Sequence, residues 1–309
     1  MAAPDAALTG RLAAPGRPAA SGALLFATAA WGSTFVVTKS SLGELAPATF
    51  LLWRFGVAAV VLLAVSARRT RGLTRPDRWR GVALGVLLGG GFLLQTTGLQ
   101  DTSAGLSGFL TGSSVVMVPV LASVVLSTRV TAQGWLAVGL SAVGLVLLTS
   151  GPGAGFSAGA VLTLAGAAGF AGHITALSAW ATPSNAVGIT TVSVVVAAGT
   201  CAVWSALTGQ LAAPRSPGAW AAVLWVALVA TCLGLAVQAW AQGALTATSA
   251  AVIMTMEPVF AALLAVLVAG EMLGPAAWLG GLLVVLAMGT AEIGVRECCD
   301  ATAPRVECC

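Results

Sequence analysis

Ten apolar runs, each about as long as a bilayer is thick, follow one another with short polar breaks between them. No other feature of the chain constrains its fold as strongly. A helix needs about 20 consecutive apolar residues to cross the hydrocarbon core. The runs fall at 22–39, 46–66, 80–99, 104–126, 133–150, 158–181, 186–207, 218–239, 246–268 and 276–294. They are continuously apolar rather than alternating, and Tyr is absent, which argues against a membrane β-barrel. Composition agrees: 58% of the 309 residues are hydrophobic and 8% charged, with a mean hydropathy of +0.97. A water-facing surface draws on about 25% charged residues. The expected fold is an all-α polytopic membrane protein of ten transmembrane helices, with the lipid bilayer as its solvent.

The basic residues set the orientation. Arg68, Arg69, Arg71, Arg75, Arg78 and Arg80 face only Asp77 between the second and third runs. With ten crossings, Arg11, Arg17, Arg129, Arg296 and Arg305 fall on that same side, while Glu44, Asp101, Arg215 and Glu271 fall on the other. Both termini are therefore expected in the cytoplasm of a multi-pass protein of the bacterial plasma membrane. A signal peptide is the rival reading of the first run, but that run continues from Ala23 through Val37, long enough to span. The Arg residues sit between spans rather than along one face, so no nucleic-acid partner is expected.

Residues 1–21 read as a disordered cytoplasmic tail and 296–309 as a second, Cys-containing one. The pairs Cys298-Cys299 and Cys308-Cys309 do not have a zinc spacing, and Cys201 and Cys232 sit in apolar runs, where free Cys acts as a small hydrophobe. Neither a metal nor a cofactor is expected. Oligomeric state leaves no mark on the sequence.

The chain repeats itself. Gly91-Phe-Leu-Leu-Gln95 matches Gly234-Leu-Ala-Val-Gln238, and Thr102-Ser-Ala104 matches Thr248-Ser-Ala250. Val118-Pro119-Val120 pairs with Glu257-Pro258-Val259, and Trp135-Leu136 with Trp278-Leu279. Each half, 22–150 and 151–295, holds five spans, and an odd number reverses orientation between copies. That predicts two inverted five-helix repeats, an arrangement secondary transporters use for alternating access.

With Trp31-Gly32-Ser-Thr-Phe35 and Lys39 in the first span, Arg54-Phe55 in the second, Val118-Pro119 in the fourth and Glu257-Pro258-Val259 before Gly270-Glu271 in the ninth, the chain resembles EamA-type members of the drug/metabolite transporter superfamily. The resemblance covers about residues 22–295. It implies a ten-helix transporter of small metabolites, often amino acids, with a central cavity between the halves. The chain departs from paired acidic residues: Gly270-Glu271 has no counterpart after Pro119, where Ser127-Thr128-Arg129 stands.

An ionisable group at mid-membrane is costly and calls for a reason. Glu257 and Arg54 both count to mid-span, so Glu257 is a candidate for substrate contact or proton coupling, with a fixed ion pair to Arg54 as the alternative. Arg54 itself reads first as a static tie between helices. Pro258 and Pro119 are candidate hinges that free backbone carbonyls toward a cavity. His173, the only His, aligns with Thr34 across the repeat and is a second coupling candidate because imidazole titrates near neutral pH; packing is its plainer role. Gln95, Gln238, Trp31 and Trp240 supply the amides and apolar walls expected of a small-molecule pocket. Lys39 reads as snorkelling to the headgroups, and Glu271 and Glu292 as solvated span ends.

The expected function is secondary transport of a small metabolite such as an amino acid, in the direction of export, with proton coupling. An intramembrane enzyme is the rival class; it needs a nucleophile–base pair, for which Ser113 or Ser114 with His173 is the sole arithmetic combination. A non-transporting membrane scaffold is a third class, disfavoured by the mid-span Glu, Arg and amides.

Overall fold

The computed structural model describes residues 17–125, 132–148, 157–182, 184–242 and 253–301, and among these there is no strand. The helices are α1 (Arg17–Ser41), α2 (Pro47–Arg71), α3 (Arg75–Asp101), α4 (Ala104–Gly112), α5 (Ser114–Val125), α6 (Ala132–Leu148), α7 (Ala158–Trp180) and α8 (Ala186–Leu207). There follow α9 (Pro217–Leu224), a π-helical stretch (Trp225–Leu233), α10 (Gly234–Gln242), α11 (Glu257–Leu267) and α12 (Pro275–Ala301). Among the described residues, six helical paths are long and apolar enough to cross a bilayer: α1, α2, α3, α7, α8 and the path through α9 into α10; shorter apolar helices complete the polytopic chain. Large apolar side chains such as Val65 and Leu207, 79% and 80% exposed, lie on the outer face where lipid replaces water.

Local chemistry starts the helices where the sequence punctuates them. The hydroxyls of Thr74, Ser103, Ser157 and Ser216 accept from the amides of Asp77, Leu106, Ala160 and Ala219, and each precedes a helix. Pro stands in the first turn of α2, α3, α9 and α11, where its missing N–H removes no intrahelical bond.

Three expected spans are interrupted. The fourth breaks at Ser113, whose Oγ donates to the Leu110 carbonyl at 2.6 Å. The ninth has a turn at 255–256, so Glu257 and Pro258 open α11 rather than standing inside a continuous helix. The eighth runs through the π stretch, where Thr231 Oγ1 donates to the Val226 carbonyl five residues back at 2.8 Å. At the ends, α1 already begins at Arg17 and α12 continues to Ala301.

The principal packing joins the halves to each other. α3 lies against α7 and α8, α2 against α8, α6 against α12, and α11 against α1 and α4. Backbones approach closely at these seams: a Cβ on Gly98 would fall 2.4 Å from the Gly159 carbonyl, and one on Gly144 2.8 Å from that of Gly280. Small residues permit this, and dispersion does the holding where lipid removes the usual hydrophobic drive. α1 begins, and α12 finishes, at one end of the bundle, here the near end. The α3–α4 corner, with the ends of α1 and α11, marks the far end.

Candidate functional site

Between the halves lies a cavity of about 360 Å³. α1 contributes Trp31, Thr34 and Phe35, and α2 contributes Arg54 and Phe55. Phe92 and Gln95 come from α3, Thr111 and Ser114 from the broken fourth span, and Phe170 and His173 from α7. α8 supplies Thr190 and Ser193, the π stretch Thr231, and the start of α11 Glu257. The lining reaches Leu177 and Thr190, within about one turn of the near ends of α7 and α8, but stops well short of the far end.

Arg54 is buried at 8% exposure, and its charge is met by rings rather than by a carboxylate. Its guanidinium carbon stands 4.3 Å from the Phe92 ring centroid and 5.1 Å from that of Phe55, and its Nε donates to Thr231 Oγ1 at 3.3 Å. Phe55, Phe92 and Phe170 continue as an edge-to-face chain with centroids 5.2 and 4.7 Å apart. Such cation–π contact contributes about 0.5–2 kcal/mol, most when desolvated. No ion pair within 4.0 Å joins Arg54 to Glu257; among the described residues the salt bridge is that of Arg80 with Asp77. The cavity therefore presents a guanidinium and a carboxylate on different helices, separated and unpaired with each other.

The polar groups around them are partly engaged. Gln95 Nε2 donates to Thr111 Oγ1 at 2.8 Å, and Trp31 Nε1 donates to the Ala230 carbonyl in the π stretch at 2.6 Å. Most helical hydroxyls bond back to their own helix, as Thr191 and Thr200 do, yet Ser193 Oγ is buried with no hydrogen-bond partner among the described residues. No cluster of three His, Cys, Asp or Glu stands among the described residues.

Of the residues singled out in the sequence, Trp31, Gln95, His173, Glu257 and Arg54 come together here. Gln238 and Trp240 stand apart from it. Gln238 Nε2 faces the Met254 sulfur at 3.5 Å, and Trp240 packs with Ala20, Leu24 and Ala241. The two amides make parallel contacts, each with a residue 16 positions on: Thr111 for Gln95 and Met254 for Gln238. Pro258 packs against Gly112, and Pro119 lies in α5 with its side chain outside the described residues. The side chains of Glu292 and of the tail cysteines also lie outside them. Ser113 gives its proton to Leu110 rather than to His173.

Lys39, read as snorkelling to the headgroups, and Glu271, read as solvated, have backbone partners instead. Lys39 Nζ donates to the carbonyls of Leu99, at 3.1 Å, and Thr102, at the C-terminal end of α3. Glu271 accepts from the amides of Ala104 at 2.6 Å and Gly105 at 3.1 Å, at the N-terminus of α4. Helix ends carry partial charges that suit these partners, so backbone groups compete successfully with headgroups and water. Phe92, Phe170, Thr111, Thr231 and Ser193 are among the site residues that sequence reading passed over; apolar runs hide a Phe facing inward among those facing lipid.

A central, chemically mixed cavity between two interlocked sets of membrane helices defines the class: a polytopic membrane protein built to admit a small molecule. The EamA-like transporter family model matches residues 20–150 and again 157–290, and the chain belongs to that family. It is a membrane transporter. An uncharacterized transporter of Archaeoglobus fulgidus is 29% identical over 261 residues, covering 84% of this chain and 80% of that protein. A solved structure with a TM-score of 0.60 and 18% identity covers 90% of this chain and 99% of its own, a likeness of fold alone.

Proposed function

We propose that the protein is a secondary transporter that exports a small zwitterionic metabolite such as an amino acid from the cytoplasm of a bacterium by alternating access, coupled to protons. One observation carries this reading: the cavity holds Arg54 and Glu257 as separate opposite charges among aromatic walls. A fixed ion pair would be a structural tie; two unpaired charges leave a carboxylate site and an ammonium site with apolar surface between them. Glu257 is also the group that exchanges a proton as the cavity changes sides, with His173 the second such group. The cavity extends to within about one turn of the near end, the side assigned to the cytoplasm by the Arg count, which suits loading from within.

The inverted repeat belongs to this proposal, and the packing supports it. Replacing each helix by its counterpart five spans on maps α3 on α7 to α10 and its π stretch on α1, and maps α1 on α11 to α7 on α4 and α5; all of these contacts exist. Gly91 stands against Phe170, and the equivalent Gly234 against Trp31, which aligns with Phe170. Counterflow in proteoliposomes, offering amino acids, purines and cationic drugs in turn, is the test. Accelerated exchange with a zwitterionic amino acid is expected; exchange with none of the three classes would remove the reading.

A further inference from the structure

The far end of the cavity is shut by two layers. The inner layer is apolar: Phe35 of α1, Leu99 of α3, Ala104 of α4, and Ala261 and Ala265 of α11 pack as one buried cluster. Above it stands the α3–α4 corner, held on one side by Lys39 and on the other by Glu271. Lys39 takes the carbonyl end of α3 and Glu271 the amide end of α4, so one charge of each sign meets the helix terminus of opposite polarity. Lys39 belongs to the first half and Glu271 to the second, and no salt bridge within 4.0 Å links them directly. Both side chains are half-buried.

The near end is built differently. Its charged contacts lie elsewhere in the bundle: Asp77 with Arg80 at 2.9 Å and with Asn185 at 3.2 Å follows the α3–α8 seam that Gly81 and Gly85 already pack, and Arg78 donates to the Arg71 carbonyl at the end of α2 at 3.0 Å. Nothing comparable joins α1, α3, α4 and α11 there among the described residues.

We infer that Lys39 and Glu271 form a clasp on the α3–α4 corner that holds the far end of the cavity closed, and that transport requires both contacts to break each time the cavity opens to that side. The inference rests on the alternating-access reading only in naming that opening as a step of transport. Parting α4 from α11 separates the Ala104 and Gly105 amides from the Glu271 carboxylate. Parting α1 from the corner takes Lys39 from its carbonyls. Each group is then solvated, so the contacts are reversible, and neutralising either shifts the balance toward the far-open state.

The test reads access rather than flux. In a chain whose six cysteines are replaced by serine or alanine, Thr34→Cys puts one thiol on the cavity wall. A membrane-impermeant trimethylammonium methanethiosulfonate is applied to sealed vesicles of either orientation. The parent thiol is expected to react from the near face. Glu271→Gln and Lys39→Met should each raise reaction from the far face by about fivefold, the factor that losing one charge–helix-end contact commands. Lys39→Arg, which keeps the charge, should leave the far face shut. Far-face labelling that stays at the parent level in a neutral variant whose near-face labelling is intact overturns the clasp, and so does a parent labelled equally from both faces. Each neutral variant decides alone, so a folding failure in one leaves the other to answer. Absence of counterflow for every probe, with the labelling pattern as expected, would count against the transport reading and not against the clasp.

Discussion

The charges at the centre of the molecule and those at its far end meet opposite fates. At the far end Lys39, Glu271 and Glu44 are each satisfied by the end of a helix, Glu44 by the amides of Arg215 and Ser216 before α9. At the centre Arg54 is met by two rings and one hydroxyl, and Glu257 faces the cavity without pairing to it. A charge held by backbone dipoles is fixed in place by the fold itself. One left facing a cavity keeps its capacity to bind something that comes and goes. Low cost identifies the first kind and persistent cost the second.

The comparison breaks most readily at Glu257. Glu257→Gln keeps shape and one acceptor and loses the charge, so flux of a zwitterionic probe should fall by about tenfold or more, the worth of a charge-assisted hydrogen bond. Parent flux should respond to an imposed pH gradient, and the residual flux of the variant should respond less, with His173 alone left to exchange a proton. Proteoliposome flux across a range of pH checks both, and a well-folded variant with unchanged flux at every pH would place Glu257 with the structural charges.

Arg54 sharpens it. Arg54→Lys retains charge but loses the delocalised guanidinium that meets the Phe92 and Phe55 rings and the fork of donors, so apparent affinity should weaken about three- to tenfold while the protein still folds. If Arg54 were merely a tie between helices, the change would appear in thermal stability and leave affinity alone. Measuring both on one preparation separates the two.

A third change concerns the frame that holds the charges apart. Gly98→Val places a side chain where the Gly159 carbonyl and Thr163 already stand, within 2.4 and 2.5 Å of a Cβ. Overpacking a seam costs about 1–3 kcal/mol. The expected outcome is a lower melting temperature in detergent, with residual flux that keeps the parent's pH response.

The contrast was only half legible in the sequence. The length of each apolar run places the helices well: the seventh run, 186–207, is α8 residue for residue. Interruptions were legible where chemistry marks them, as at Pro258, and not in Trp225–Leu233, which contains neither Gly nor Pro. Gln95 lines the cavity and its repeat partner Gln238 does not, a difference that the matching local sequences do not announce. Arg54 and Glu257 were found by depth, because depth alone makes a charge expensive. Lys39 and Glu271 were misread because their partners are backbone groups of helices distant in sequence, which no local pattern announces.

The smallest expected effect belongs to Glu44, which tests whether an exposed cap at the far end matters at all. Its carboxylate accepts from the Ser216 hydroxyl and from the amides of Arg215 and Ser216, and the hydroxyl foremost, with the two amides, lowers its pKa from the ordinary 4.5. A carboxylate held below its unfolded value stabilises the folded state above that value. The contribution is lost as pH falls through the lower, folded value. Glu44→Gln should therefore melt slightly below the parent at neutral pH, and the gap should close in acid, once the pH falls through the lowered folded value. Exposure to solvent keeps the gap small, since screening and hydration compete with every one of these bonds. Melting curves of both proteins at the two pH values decide it: a gap that persists in acid would mean that Glu44 acts through packing rather than through its charge.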